Sequence, residues 1–351
     1  MLDFFWSLLS HDIGIDLGTA NTLVLVKNKG IVIREPSVVA QHKKTKQILA
    51  IGGEAKKMIG KTPATISAFR PLKDGVIADF DATTAMLSYY IKKVHESPQL
   101  FFPRIPRPLV VVGIPSGVTE VERRAVQEVC LSAGARRAFL IEEPMAAAIG
   151  CGLPVEEPIG GMIVDIGGGT TEIAIISLGG IVLSKSLRVA GDKMDEAIIN
   201  FLRLKQGFIL GEKSAEEVKI QIGSTASSKA KNERVAVVRG RDLETGLPKS
   251  LRVSEGELRE ALSPVVNAIL EGIREMIEEA PPEFLSDILE KGIVLCGGGS
   301  QLRDLDKLVA ETTKMPVWVA DDPMTCVVRG CGRVLEDRSL LEKVRVTGGL
   351  K

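Results

Sequence analysis

The chain has 351 residues, 45 Lys+Arg against 45 Asp+Glu, 45% hydrophobic residues, 35 glycines and only 4% aromatics. A zero formal charge offers no general field for a phosphodiester backbone, and two Trp with two Tyr leave few stacking platforms, so composition argues against a nucleic-acid partner. The length predicts two domains with a cleft between them, and the hydrophobicity argues against disorder.

Residues 1–10, MLDFFWSLLS, place Leu2, Phe5, Trp6 and Leu9 at helical spacing, with Phe4 and Leu8 widening the apolar face. The segment has no basic leader and no small-residue cleavage site, so it reads as an amphipathic helix lying on a membrane or as a terminal helix packed on the body. No apolar run reaches the ~18–20 residues needed to span a bilayer. IDLGTANTLVLV, residues 15–26, then predicts a strand, a tight glycine turn and a second strand, with Asp16 ending the first. AKKMIGKT, residues 55–62, fits the loosest P-loop pattern, but KKMI lacks glycine and predicts a helix, which leaves Lys61 no phosphate role.

The four prolines of SPQLFFPRIPRP, residues 97–108, forbid a helix. Leu100, Phe101, Phe102 and Ile105 beside Arg104 and Arg107 make this loop either a second membrane contact or a small cluster tucked beneath itself. Two such anchors on one surface would add by avidity. Thr119 and Glu122 form a capping box for a helix whose Val121, Ala125 and Val129 are expected on one face, mostly core. VDIGGGTTEIAII, residues 164–176, repeats the first motif, and each copy is followed by GIV at Gly30 or Gly180. Duplicated α/β domains would each offer one phosphate-binding hairpin to the cleft. Asp16 and Asp165 would repel there unless a cation such as Mg²⁺ with its waters lies between them.

Residues 223–252 carry a basic excess and turn signals around a strand near Val235 to Val238, predicting a peripheral hairpin. Ser254 and Glu257 cap a long helix with Leu258, Leu262, Val265, Ile269, Ile273 and Met276 as its core stripe, ended by Pro281 and Pro282. In IVLCGGGSQLRDLD, a strand from Ile293 to Cys296 meets Gly297, Gly298 and Gly299, predicted to open a helix whose N-terminus suits a phosphate or sugar. Cys130, Cys151, Cys296, Cys326 and Cys331 form no CxxC pair and read as small buried residues in a reducing compartment. With three His and no HExxH, no zinc site or His relay is expected.

IDLGTANT, IEEPMAAAIG, VDIGGGTTE and LCGGGSQLRDLD, in this order over nearly the whole chain, resemble the actin and sugar-kinase ATPase superfamily. REPSVVA, RPLKDGVIADF and PVWVADDPMTCVVRG make the resemblance specific to its MreB family of bacterial actin-like proteins. The resemblance implies an α/β actin-like ATPase fold with two duplicated lobes. A membrane helix at 1–10 would be followed by subdomain IA at 11–37, 76–152 and 325–346, IB at 38–75, IIA at 153–191 and 254–324, and IIB at 192–253. It implies ATP and Mg²⁺ in the cleft. Asp16, Gly18, Thr19, Ala20 and Asn21 would bind from the first hairpin, and Gly167, Gly168, Gly169 and Thr170 from the second. Asp16 and Asp165 would hold the Mg²⁺ water shell. Glu143 would position the attacking water, forming the catalytic set with Thr170 and Asp165.

Glu216 and Lys219 would line the adenosine pocket opposite Gly298, Gly299, Ser300 and Gln301. The same resemblance implies slow, assembly-coupled ATP hydrolysis by a cytoplasmic protein held peripherally on the inner membrane through Leu2, Phe4, Phe5, Trp6, Leu9, Leu100, Phe101 and Phe102. Its function would be to organise cell-wall synthesis and maintain rod shape. Partners would be itself, in head-to-tail protofilaments paired antiparallel near Val121, and cell-wall elongation proteins such as MreC, MreD and RodZ, with no nucleic acid. The alternatives are a paralogous filament protein, a heat-shock-type chaperone, a sugar or acetate kinase, or a division protein of the FtsA type. The chaperone would need a further substrate-binding domain, the kinase an acceptor pocket with a catalytic Asp, and the FtsA type a C-terminal amphipathic helix.

Overall fold

The computed structural model describes residues 10–96, 105–226 and 233–346. Two five-stranded sheets form its frame. The first contains β1 (Ile13–Leu17), β2 (Asn21–Val26), β3 (Gly30–Pro36), β4 (Leu109–Ile114) and β5 (Arg137–Glu142) in the order β5-β4-β1-β2-β3. The second contains β6 (Gly161–Ile166), β7 (Thr171–Ser177), β8 (Gly180–Leu187), β9 (Ile293–Cys296) and β10 (Val317–Val319) in the order β8-β7-β6-β9-β10. In each, an antiparallel three-strand meander continues into two parallel strands, and one bulge interrupts the pairing of the second and third strands. The sequence repeat is therefore a repeat of sheet topology.

The parallel strands are almost wholly apolar and are covered by helices, as buried parallel sheets require. The main helices are α1 (Phe80–His95), α2 (Glu120–Ser132), α3 (Glu143–Cys151), α4 (Gly191–Gln206), α5 (Glu212–Ile222), α6 (Glu255–Glu279) and α7 (Cys326–Glu336). Helices α3 and α7 contribute to one buried cluster together with Val111 and Ile141 from the first sheet and Ile163 and Ala174 from the second. They pack closely because both are glycine-bearing. A Cβ on Gly150 would lie 1.8 Å from the Cys326 carbonyl oxygen, and one on Gly330 would lie 1.8 Å from that of Ala146.

Each lobe also carries a small antiparallel sheet. One is built from Val39–His42, Ile48–Ile51 and Ile66–Phe69, the other from Phe208–Ile209, Val235–Asp242 and Pro248–Ser254. The latter contains the expected peripheral hairpin, with a strand longer than Val235 to Val238. Residues 53–58 form a helix, as the lack of glycine in KKMI implied.

One packing expectation needs correction. In α2 the core stripe is Val126, Val129 and Cys130, whereas Val121, in the first turn of the helix, is 76% exposed. In α6 the expected stripe packs on the core, with Val265 half-buried against it and Val266 fully buried beside an exposed Pro264 inside the helix. Both capping boxes form, at Thr119/Glu122 and Ser254/Glu257. No helix among the described residues is long and apolar enough to cross a membrane. Leu2, Phe4, Phe5, Trp6, Leu9, Leu100, Phe101 and Phe102 lie outside the described residues.

Candidate functional site

A cavity of about 610 Å³ opens between the lobes. Its floor is made by two hairpin turns. Gly18, Thr19 and Ala20 join β1 to β2, and Gly167 through Thr170 join β6 to β7, closed by a 2.9 Å bond from Gly167 N to Thr170 O. The turns meet tip to tip. A Cβ on Gly168 would lie 2.6 Å from Ala20 Cβ, and one on Gly169 would lie 2.6 Å from Thr19 Oγ1. Glycine at 168 and 169 is thus demanded by the opposing turn. The Thr shared by both motifs has a supporting task. Thr22 is buried and its hydroxyl lies 2.8 Å from that of Ser37, whereas buried Thr171 donates to Val189 O.

Asp16 and Asp165 are the penultimate residues of equivalent strands and both line the cavity. Burial, reinforced by the charge of Cys326, raises the Asp16 carboxyl to about 7. Burial first, then the charge of Asp16, raises Asp165 to about 8. Glu143, the first residue of α3, also faces the cavity, and its carboxyl is pushed well up by burial and by Glu172, Asp16 and Asp165. Glu142 is not part of the lining. Glu172 stands opposite Asp165 across the hairpin, fixed by donors at Ser186 Oγ (2.6 Å) and Ser116 N (3.1 Å). These carboxyls crowd together and raise one another, an arrangement that fits a cation supplied from outside.

Of the residues expected at the site, Asp16, Gly18, Thr19, Ala20, Asn21, Glu143, Asp165, Gly167, Gly168, Gly169, Thr170, Glu216, Lys219, Gly298, Gly299 and Gln301 line the cavity. Ser300 does not; it is buried and donates to Gly297 O at 2.7 Å, bracing the glycine turn. That turn leads into one short 3₁₀ helix, Gly298–Gln301, and the following α-helix begins only at Leu305, so the expected helix N-terminus is displaced. Glu216 is paired with Lys56 at 2.8 Å, and Lys219 with Asp195 at 2.8 Å and Gly191 O at 2.9 Å. The Lys56 pair spans the cleft mouth, as does Arg70 with Asp192 at 2.6 Å.

Sequence reasoning missed Gly75, Gly191, Asp192, Asp195, Arg303 and Met324, all in the lining. Gly191 opening α4 was the available signal, since Gly191 N and Asp192 N bond to the Gly167 and Gly168 carbonyls and so seat this helix start on the second turn. It also missed a convergence of sulfur. Cys151, Cys296 and Cys326 are buried or half-buried as expected, but their sulfurs lie within 4.8 Å of one another, because tertiary packing unites positions that no spacing motif links.

A model of the MreB/Mbl protein family matches residues 10–343. The chain belongs to the MreB/Mbl family. It is 52% identical over 340 residues to the cell shape-determining protein MreB of Escherichia coli K12, covering 96% of each chain. It is 44% identical to the cell shape-determining protein Mbl of Bacillus subtilis, covering 97% of this chain and all of the relative. The crystal structure of MreB5 of Spiroplasma citri bound to AMPPNP superposes with a TM-score of 0.86 at 38% identity, over 95% of this chain and 98% of that one. The MamK double helical filament, at 24% identity and a TM-score of 0.77 over 93% and 99% of the chains, shares the fold. The fold of this MreB/Mbl-family chain is the α/β actin-like one, and its class of function is cytoskeletal determination of cell shape.

Proposed function

We propose that this chain is an ATP-driven, membrane-associated filament protein that organises cell-wall synthesis and maintains rod shape from the inner face of the cell membrane. The observation that carries this reading is the meeting of two like hairpin turns beneath a cleft lined by Asp16, Asp165 and Glu143. Backbone N–H groups and the Thr19, Asn21 and Thr170 side chains would hold the phosphates, and the Glu216 and Lys219 region with Gly298, Gly299 and Gln301 the nucleoside. The AMPPNP-bound and ADP-bound structures of MreB5 support a nucleotide in this cleft. Asp16 and Asp165 would hold Mg²⁺ through water. When bound, the ion supplies positive charge that lets the crowded carboxyls ionise together and offsets the phosphates.

Glu143 then orients and polarises the attacking water, with Thr170 and Asp165 fixing the phosphoryl end. Turnover would be slow and would rise on assembly. The subdomains divide as IA at 11–37, 76–152 and 325–346, IB at 38–75, IIA at 153–191 and 254–324, and IIB at 192–253.

Exposed Val121 on α2 supports antiparallel pairing of protofilaments. Two described bonds support a joint membrane surface. Ser10 Oγ lies 3.0 Å from His95 Nε2 and accepts from Arg107 N at 3.2 Å, so Ser10, His95 and Arg107, described residues close in sequence to the two apolar segments, meet at one place. Elongation proteins of the MreC, MreD and RodZ type would dock on these filaments. Sedimentation and electron microscopy with ATP and lipid vesicles test the proposal. Membrane-bound filaments are expected, and a protein that stays monomeric and never pellets would refute it.

A further inference from the structure

We propose that Cys151, Cys296 and Cys326 form a binding site for a thiophilic d¹⁰ cation, Zn²⁺ or Cu⁺, at the hinge between the lobes. Each sulfur comes from a different element. Cys151 ends α3, just before the chain crosses into the second lobe; Cys296 ends β9 within that lobe; Cys326 opens α7, where the chain returns. The three sulfurs lie within 4.8 Å of one another. Metal–sulfur bonds of about 2.3 Å need sulfurs about 4 Å apart, so each sulfur has to move inward by less than about 1 Å.

The surroundings favour such an ion. The α3–α7 crossing is fixed by the Gly150 and Gly330 contacts, which hold Cys151 and Cys326 beside one another. Arg329 Nη2 lies 3.5 Å from Cys326 Sγ, placing positive charge where a thiolate set needs it. A donor set of three sulfurs favours Zn²⁺ or Cu⁺ over Mg²⁺ or Ca²⁺. The site stands behind the nucleotide cavity wall. Cys296 precedes Gly297 and Cys326 precedes Val327, both of which line the cavity, whereas the cysteines do not. Binding displaces whatever thiol protons are present and requires no redox change. An ion here would tie both interlobe crossovers to the second sheet and restrict cleft motion.

The test uses the full chain, stripped of metal, reduced and kept anaerobic, with no nucleotide added, so that its failure is separate from any failure of the ATP reading. Zn²⁺ is titrated in competition with a chromophoric chelator, and Co²⁺ is added to a parallel sample as a spectroscopic probe. One Zn²⁺ per chain and thiolate-to-cobalt charge-transfer absorption are expected. Cys151→Ser and Cys326→Ser should each weaken Zn²⁺ binding by about 100-fold, at the upper end of what even outer partners of a metal site cost. Cys130→Ser, in the core of the first lobe, should leave it unchanged. Metal-free melting curves of the variants establish that they are folded. No Zn²⁺ uptake, no charge-transfer band, or wild-type affinity in both folded cluster variants would overturn the proposal.

Discussion

The two hairpins share a backbone path and divide the chemistry between them. At the first, Asp16 is paired with Leu23 and the turn carries Thr19 and Ala20 followed by Asn21; at the second, Asp165 is paired with Glu172 and the turn is Gly167, Gly168 and Gly169. One tip can bear side chains only because the other is bare, since any Cβ on Gly168 or Gly169 would strike Ala20 or Thr19. Duplication supplied two equal scaffolds, and the close meeting of their tips forced them apart in sequence. The first turn offers side-chain donors. The second offers bare backbone and the greater concentration of negative charge.

Substitutions can break or sharpen this contrast. The largest effect is expected from Asp165→Asn and Asp16→Asn, each lowering Mg²⁺-dependent ATP turnover by about 100-fold, the scale seen when one preorganised transition-state contact is lost. Wild-type turnover in either variant would remove that hairpin from the catalytic arrangement. Next, Gly168→Ala should cost about 1–3 kcal/mol by overpacking, measured by chemical denaturation. Ala20→Gly in the same chain should restore most of that loss; simple additivity of the two changes would deny the tip-to-tip contact.

A smaller effect concerns pH. The Asp16 and Asp165 carboxyls rise from 3.8 to about 7 and about 8 on folding, so between those limits the folded state binds more protons than the unfolded one. This contribution to nucleotide-free stability is full below about pH 4 and is lost as pH rises through about 7–8, and Mg²⁺ should restore more stability at pH 8 than at pH 5. Thermal melts across pH with and without Mg²⁺ read this directly, and Asp165→Asn should flatten the profile. Smallest of all, Lys61→Ala should keep nucleotide affinity within about twofold, as expected for an exposed residue away from the cleft. A large loss in an equilibrium nucleotide titration would return that segment to the site.

The duplicated motif made both hairpins, both leading aspartates and the cleft legible in the sequence, because glycine turns and alternating apolar runs are local signals. Helix starts at Thr119 and Ser254 were legible for the same reason. What escaped depended on distant packing. Glu172 acquires its place only from its register opposite Asp165, and Ser300 turns away because its hydroxyl closes the glycine turn. The cysteine convergence arises where α3, α7 and β9 meet, with no spacing pattern to announce it. Lys56 and Arg70 reach across the cleft to Glu216 and Asp192, and ion pairs so near the surface are worth ~0–1 kcal/mol each, enough to guide closure without locking it.

The most direct test is a crystal structure of the chain with AMPPNP and Mn²⁺ in place of Mg²⁺, the ion located by its anomalous scattering. The account predicts one Mn²⁺ between Asp16 and Asp165, reached through water, with phosphate oxygens on both hairpin turns and the nucleoside beside Glu216. A nucleotide held by one hairpin alone, or an ion remote from both aspartates, would contradict it.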